Sequence, residues 1–84
     1  MKKFLVVIER KPSFTGTFIQ GHRDFLKQLR ESGELVVAGA FTDQSGGAYV
    51  VQAASLEEAT SIASRDPMNE KNEAVYKVKE WNLH

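Results

Sequence analysis

The sequence has 84 residues, 42% hydrophobic and 26% charged, which is the composition of one globular domain. Its 11 lysines and arginines balance its 11 aspartates and glutamates, and no basic stripe alternates with aromatic residues, so we expect no nucleic-acid partner. The chain has no cysteine, which excludes disulfides and thiolate nucleophiles, and no apolar run long enough to span a membrane, so we expect a cytoplasmic protein without a membrane partner.

The pattern of hydrophobic and turn-forming residues predicts six elements. In chain order they are a strand at Phe4–Ile8, a helix from Thr17 to about Ser32, strands at Glu34–Phe41 and Ala48–Ala53, a helix after Ser55, and a strand at Ala74–Trp81. This βαββαβ order is typical of an α+β, ferredoxin-like fold. Right-handed crossovers then place both helices on one face of a four-stranded antiparallel sheet.

Local signals predict where the helices begin and end. Thr17 and Gln20 have capping-box spacing, with Ser13 or Thr15 as alternative caps of an earlier start. Ser55 and Glu58 have the same spacing before the second helix. Gly33 supplies a left-handed residue that stops the first helix. The Asp66–Pro67 pair ends the second helix, because the residue before proline disfavours helical backbone. We expect a polar loop from Asn69 to Asn72 after it.

The other face of the predicted sheet has no cover within the chain. In the second strand, simple alternation puts Leu35, Val37 and Phe41 on one face and Val36, Ala38 and Ala40 on the other. Both faces are therefore apolar, although only one can meet the helices. We expect a homodimer packed through the sheet face. A monomer that tolerates an apolar face is the alternative.

His22 is an ionisable residue on the apolar face of the first helix, in line with Phe18, Phe25 and Leu29. Because unpaired burial of a polar group costs a few kcal/mol, this ring needs a partner or a cavity. The predicted topology brings the second turn of the first helix and Asp66 to the same end of one groove, which predicts a His22–Asp66 pair. The alternatives are a histidine bonded to a backbone carbonyl, and an aspartate that bonds only its own turn.

Four further residues are candidate substrate contacts at that end of the molecule. Arg10 could contact a substrate carboxylate, and Phe41 and Met68 could supply apolar wall. Asp43 lies in the hairpin after the second strand, where turn formation is the favoured alternative. The two histidines lack the spacing of metal ligands, so we expect no metal site.

Several motifs occur in a fixed order: His22 followed by Phe25-Leu26, Gly39-Ala-Phe41, Gly46-Gly47, Ser55-Leu-Glu-Glu-Ala59, Asp66-Pro67 and Val78-x-x-Trp81. This ordered set resembles the YciI-like family, relatives of muconolactone isomerase in the dimeric α/β-barrel superfamily. The resemblance implies a single YciI-like domain over residues 1–84 and a dimer whose two sheets form a barrel. It also implies an active site of a histidine and an aspartate, matched here by His22 and Asp66.

The chain departs from the family pattern at two positions near the expected pocket. Many members have Gly-Pro-Phe where this chain has Ala40 in the middle, and an aromatic residue where it has Met68. The resemblance therefore implies no particular substrate.

These residues predict an enzyme of isomerase or lyase type that needs no cofactor. His22 would act as general base and acid on a small molecule, and Asp66 would hold the tautomer of its ring. The alternative is a non-catalytic, small-ligand-binding dimeric module with the same pocket. A third possibility is an accessory domain with a vestigial pocket.

Overall fold

The computed structural model describes residues 1–84. In chain order the elements are β1 (Lys2–Arg10), α1 (Ile19–Glu31), β2 (Leu35–Ala40), β3 (Gly46–Ala53), α2 (Leu56–Ser64), α3 (Pro67–Glu70) and β4 (Ala74–Glu80). The strands form one antiparallel sheet in the order β2–β3–β1–β4. The predicted α+β, ferredoxin-like fold is confirmed.

The hydrophobic core lies between the sheet and the helices. Alternate residues of the two central strands point into it because side chains along a strand alternate between faces. From β1 and β3 these are Phe4, Val6, Ile8, Tyr49, Val51 and Ala53, and the helices contribute Phe25, Leu29, Ala59, Ile62 and Ala63. No helix has the length and apolar character needed to cross a membrane.

Of the predicted helix ends, the stop of α1 and the start of α2 are right, and the start of α1 is wrong. Gly33 has φ +82° just after α1, and the Ser55 hydroxyl accepts from the Glu58 N–H at 3.2 Å at the start of α2. Thr17 does not cap α1, which begins at Ile19 without a side-chain cap. The expected capping box is absent because Phe18 occupies the N-cap position, and the Gln20 side chain donates forward to Asp24.

A short helix replaces the polar loop expected after Asp66. α2 ends before Asp66, as the following proline predicts, but the chain then turns at once into α3. One Asp66 oxygen, Oδ1, accepts from the Met68 N–H at 3.1 Å and so caps this helix. Pro67 occupies the first turn, where its missing N–H costs nothing.

A β-bulge in β2 overturns the predicted assignment of its faces. The pairing register shifts between Leu35 and Val37, so that Leu35 lies opposite Val51 and Val37 lies opposite Val50. Leu35 is buried on the helix-covered face, while Val37 turns outward and is 56% exposed. The expectation that these two side chains share a face was wrong because one extra residue reverses the alternation that follows it.

The sheet face that turns away from the helices is partly apolar. Leu5 and Val7 on β1 are half-buried there, and Val37 and Val75 at the two edge strands are exposed. The pairing register also places Lys77 and Lys79 of β4 on this face. No helix of the chain covers these residues, and we call this surface the open sheet face.

Candidate active site at a His–Asp pair

A cleft of about 260 Å³ opens between α1 and the β2–β3 half of the sheet. Its wall is mainly apolar, with Ile8, Leu26 and Met68 among its residues, and His22 is one of its few polar groups. Ligand sites typically combine an apolar wall with a few placed polar side chains. No group of three or more His, Cys, Asp or Glu side chains lies close enough together to hold a metal ion.

His22 and Asp66, which are 44 positions apart in sequence, meet at one end of this cleft. The Nδ1 atom of His22 lies 2.6 Å from Oδ2 of Asp66. Asp66 is fully buried, whereas 18% of the His22 side chain is exposed. The contact predicted from the chain topology is therefore present, with the carboxylate inside and the ring at the surface of the cleft.

Asp66 accepts three hydrogen bonds, which is what a buried carboxylate requires. Besides the contact with His22, its Oδ2 atom accepts from the Tyr76 hydroxyl at 2.8 Å. Its Oδ1 atom caps α3 through the Met68 N–H at 3.1 Å. Asp66 therefore both forms the turn and pairs with His22, because Oδ1 accepts from the Met68 N–H and Oδ2 contacts the His22 ring.

The contacts of Asp66 determine how the imidazole of His22 is presented. An ionised carboxylate only accepts hydrogen bonds, so the Nδ1 atom carries a proton in this pair. Nε2 has no hydrogen-bond partner in the protein and belongs to a ring that lines the cleft. In the neutral ring Nε2 is the basic nitrogen, and it is the one available to a bound molecule.

Gly21 allows α1 to approach α3 closely enough for this contact. A Cβ atom at Gly21 would lie only 3.2 Å from Cγ of Pro67. Glycine inside a helix costs about 1 kcal/mol relative to alanine, so its position directly before His22 calls for a packing reason. This signal was present in the sequence, and sequence reasoning missed it.

Tyr49 and Tyr76 lie near Asp66 of the His22–Asp66 pair. Burial and then the negative charge of Asp66 raise the pKa of Tyr76, and the same two causes raise the pKa of Tyr49. Both phenols therefore keep their protons at neutral pH. The Tyr76 hydroxyl donates to Asp66, a role that sequence reasoning missed. The Tyr49 hydroxyl is buried without any partner, and Tyr49 also lines the cleft.

The structure brings only some of the other predicted site residues to the cleft. Met68 and Arg10 line it. Phe41 lies outside the lining and is 42% exposed just after β2. Asp43 also lies outside, in the hairpin, where its carboxylate accepts from the Ser45 N–H at 2.9 Å. Hydrogen bonds from the Ser45 side chain and backbone lower the pKa of Asp43, which agrees with the turn-forming alternative.

Comparison with known proteins places the chain in a family. Residues 3–82 match the YCII-related domain. The chain belongs to the YCII-related family. It is 37% identical over 83 residues to the uncharacterized protein YjpA of Bacillus subtilis (strain 168), a match that covers 99% of this chain and 98% of YjpA. The resemblance drawn from the ordered motifs is confirmed.

A solved structure shares the fold. The 5-chloro-2-hydroxyhydroquinone dehydrochlorinase TftG of Burkholderia phenoliruptrix, in complex with 2,5-dihydroxybenzoquinone, matches with a TM-score of 0.79. The match covers 98% of this chain and 95% of TftG, at 20% sequence identity. At that identity the likeness concerns the fold, and it agrees with the ferredoxin-like architecture of this YCII-related chain.

Proposed function

We propose that this YCII-related protein is an enzyme of isomerase or lyase type that moves a proton to and from carbon in a small molecule, without a cofactor. The 2.6 Å contact between Nδ1 of His22 and Oδ2 of Asp66, on the wall of a cleft, carries the proposal. His22 is the general base and acid, and Asp66 is the residue that positions it.

In the proposed reaction, Nε2 of His22 takes a proton from a substrate carbon. The electron pair of the broken C–H bond stays in the substrate, and Asp66 stabilises the resulting imidazolium through Nδ1. In an isomerisation His22 then returns the proton to a different carbon. In an elimination the electron pair forms a double bond while a leaving group departs with its own bonding electrons. General acid–base catalysis of this kind contributes about 10²–10⁴-fold in rate.

The size of the cleft and its wall support a ring-shaped substrate. An apolar cavity of about 150 Å³ holds benzene, and this cleft of about 260 Å³ leaves room for substituents. Met68 contacts the apolar part of the substrate, and Arg10 a polar group. Phe41 and Asp43 lie outside the lining of the cleft, so neither is assigned a contact with the substrate. A dehydrochlorinase of the same fold supports the lyase form of the proposal.

The proposal is tested by hydrogen exchange on 2,5-dihydroxybenzoquinone, the compound held by TftG. In D₂O, the wild-type protein should speed the exchange of the ring C–H groups, followed by proton NMR. In His22→Gln the exchange rate should fall by about 10²–10⁴-fold, and in Asp66→Asn it should fall by a smaller factor. His84→Gln, at the exposed chain end, is the matched control. Acceleration that survives in His22→Gln would refute the proposal.

The same experiment distinguishes an enzyme from the alternative, a non-catalytic ligand-binding module. A compound that shifts the amide resonances of the cleft but returns without deuterium is bound and not turned over. That result, repeated with 5-chloro-2-hydroxyhydroquinone and no chloride release, would favour the binding module over the enzyme.

The open sheet face supports a homodimer as the working form. Val37 and Val75 are exposed there beside half-buried Leu5 and Val7, and exposed apolar patches of this kind mark interaction sites. Sedimentation analysis should give a dimer for the wild type and a monomer for Val37→Lys. Thr60→Lys, on the exposed side of α2, should remain dimeric. A monomeric wild type would refute this part of the proposal.

A further inference from the structure

Two arginines on the cleft wall have no acidic partner. Arg10 and Arg23 both line the cleft, and its lining includes no aspartate or glutamate. The ion pairs of the structure are Lys2–Glu80, His22–Asp66 and Lys71–Glu70. Neither guanidinium therefore forms an ion pair within the protein. A concave wall with charge of one sign concentrates ions of the opposite sign.

The two arginines reach the cleft from opposite sides. Arg10 is the last residue of β1, and its guanidinium carbon lies 4.4 Å from the centre of the Phe14 ring. This cation–π contact limits the freedom of the Arg10 side chain. Arg23 directly follows His22 on α1. A ligand in the cleft thus meets one cation from the sheet, one from the helix, and the imidazole of His22.

We propose that the cleft binds a small cyclic carboxylate, whose charged group is held by Arg10 and Arg23 and whose ring packs on Met68 and Leu26. This inference rests on the proposed function, and it names the substrate class of that site. A guanidinium presents a planar set of donors that matches the two oxygens of a carboxylate. The cleft volume of about 260 Å³ suits a single ring with one charged substituent.

The substrate class also suits the chemistry assigned to His22. When a base removes a proton from the carbon beside a carboxylate, the electron pair left behind spreads onto the carboxylate oxygens. Cations already held at those oxygens stabilise the charge that develops, without having to reorganise. Arg10 and Arg23 therefore lower the barrier to the same proton transfer that His22 performs.

The test uses benzoate as the probe and benzamide as its neutral counterpart of equal shape. Benzoate should shift the amide resonances of α1 and β3 in a titration followed by NMR, and benzamide should bind at least 10-fold more weakly. Arg10→Gln and Arg23→Gln should each weaken benzoate binding by about 10- to 100-fold. Arg30→Gln, which removes an exposed arginine of α1 outside the cleft, is the matched control and should bind as the wild type does.

Four results would overturn the inference: no binding of benzoate, equal binding of benzamide, a less than twofold effect of both cleft arginines, or equal binding of inorganic phosphate. The outcome is separable from that of the proposed function. Arginine-dependent binding of benzoate that persists in His22→Gln supports the inference even if no exchange reaction is found. Accelerated exchange of 2,5-dihydroxybenzoquinone, which carries no carboxylate, that is insensitive to Arg10→Gln and Arg23→Gln would leave the proposed function intact even if the benzoate test fails.

Discussion

Replacing Asp66 by alanine removes the carboxylate that accepts hydrogen bonds from the His22 ring, the Tyr76 hydroxyl and the Met68 N–H. The loss of the cap on α3 costs about 1 kcal/mol. Leaving the Tyr76 hydroxyl and the His22 ring N–H without their acceptor costs about 1–3 kcal/mol more, because water reaches a buried side chain poorly. The free energy of unfolding should therefore fall by about 2–4 kcal/mol. In a domain of this size that corresponds to a drop in Tm of about 10–30 °C.

Urea unfolding followed by circular dichroism, at one fixed pH, measures this loss. Asp66→Asn keeps the shape of the side chain and an oxygen for the Met68 N–H, so it should lose less, about 1–2 kcal/mol. It also keeps the measurement possible if the alanine variant does not fold. Asp43→Ala, which removes an exposed turn carboxylate, should change stability by less than about 0.5 kcal/mol. If Asp66→Ala costs no more than Asp43→Ala, the three contacts do not stabilise the fold and the reasoning is wrong.

Three further predictions concern other residues. Tyr49→Phe should raise the free energy of unfolding by about 1 kcal/mol, because it deletes a buried hydroxyl without a partner; reduced stability in urea would contradict this. Gly47→Ala should cost about 1–3 kcal/mol, since its Cβ would lie 2.5 Å from the Gly39 carbonyl oxygen, whereas Gly39→Ala, with open space, should be neutral; equal urea midpoints would refute it. Hydrogen bonds from the Thr15 side chain and backbone lower the pKa of Glu73, so they stabilise the fold above the ordinary pKa of glutamate and are lost as pH falls below it. Glu73→Gln should therefore lose less stability than the wild type on acidification, and parallel pH profiles of unfolding would disprove the role.

The regular elements could be predicted because each is encoded by neighbouring residues. The continuous, mostly β-branched apolar run at Phe4–Ile8 in β1 and the helical spacing of Phe25 and Leu29 are visible within a few positions. The ends of the helices were predictable where one residue decides them, as Gly33 and Ser55 do. The topology followed from the order of the elements, and with it the convergence of two distant residues on one end of a groove.

The site was predictable only in outline for a physical reason. The pairing of His22 with Asp66 follows from topology and from the cost of an unpaired ring on an apolar face. The hydrogen bond from the Tyr76 hydroxyl to the same carboxylate does not follow from them, because it depends on how closely β4 approaches α3. The place of Arg23 in the cleft wall was not predicted either, because its position next to the apolar face of α1 does not show how far its long side chain reaches.

The sequence by itself determined six of the seven elements, their order and the family of this protein, because those depend on short-range patterns and on an ordered set of motifs. Only the tertiary structure decided which side of β2 carries Val37, since a bulge changes the register with no local signature. It also decided that Pro67 packs closely against Gly21 and that the Tyr49 hydroxyl has no hydrogen-bond partner. These features are set by distances between segments far apart in the chain, and distances of that kind arise only when the whole fold packs.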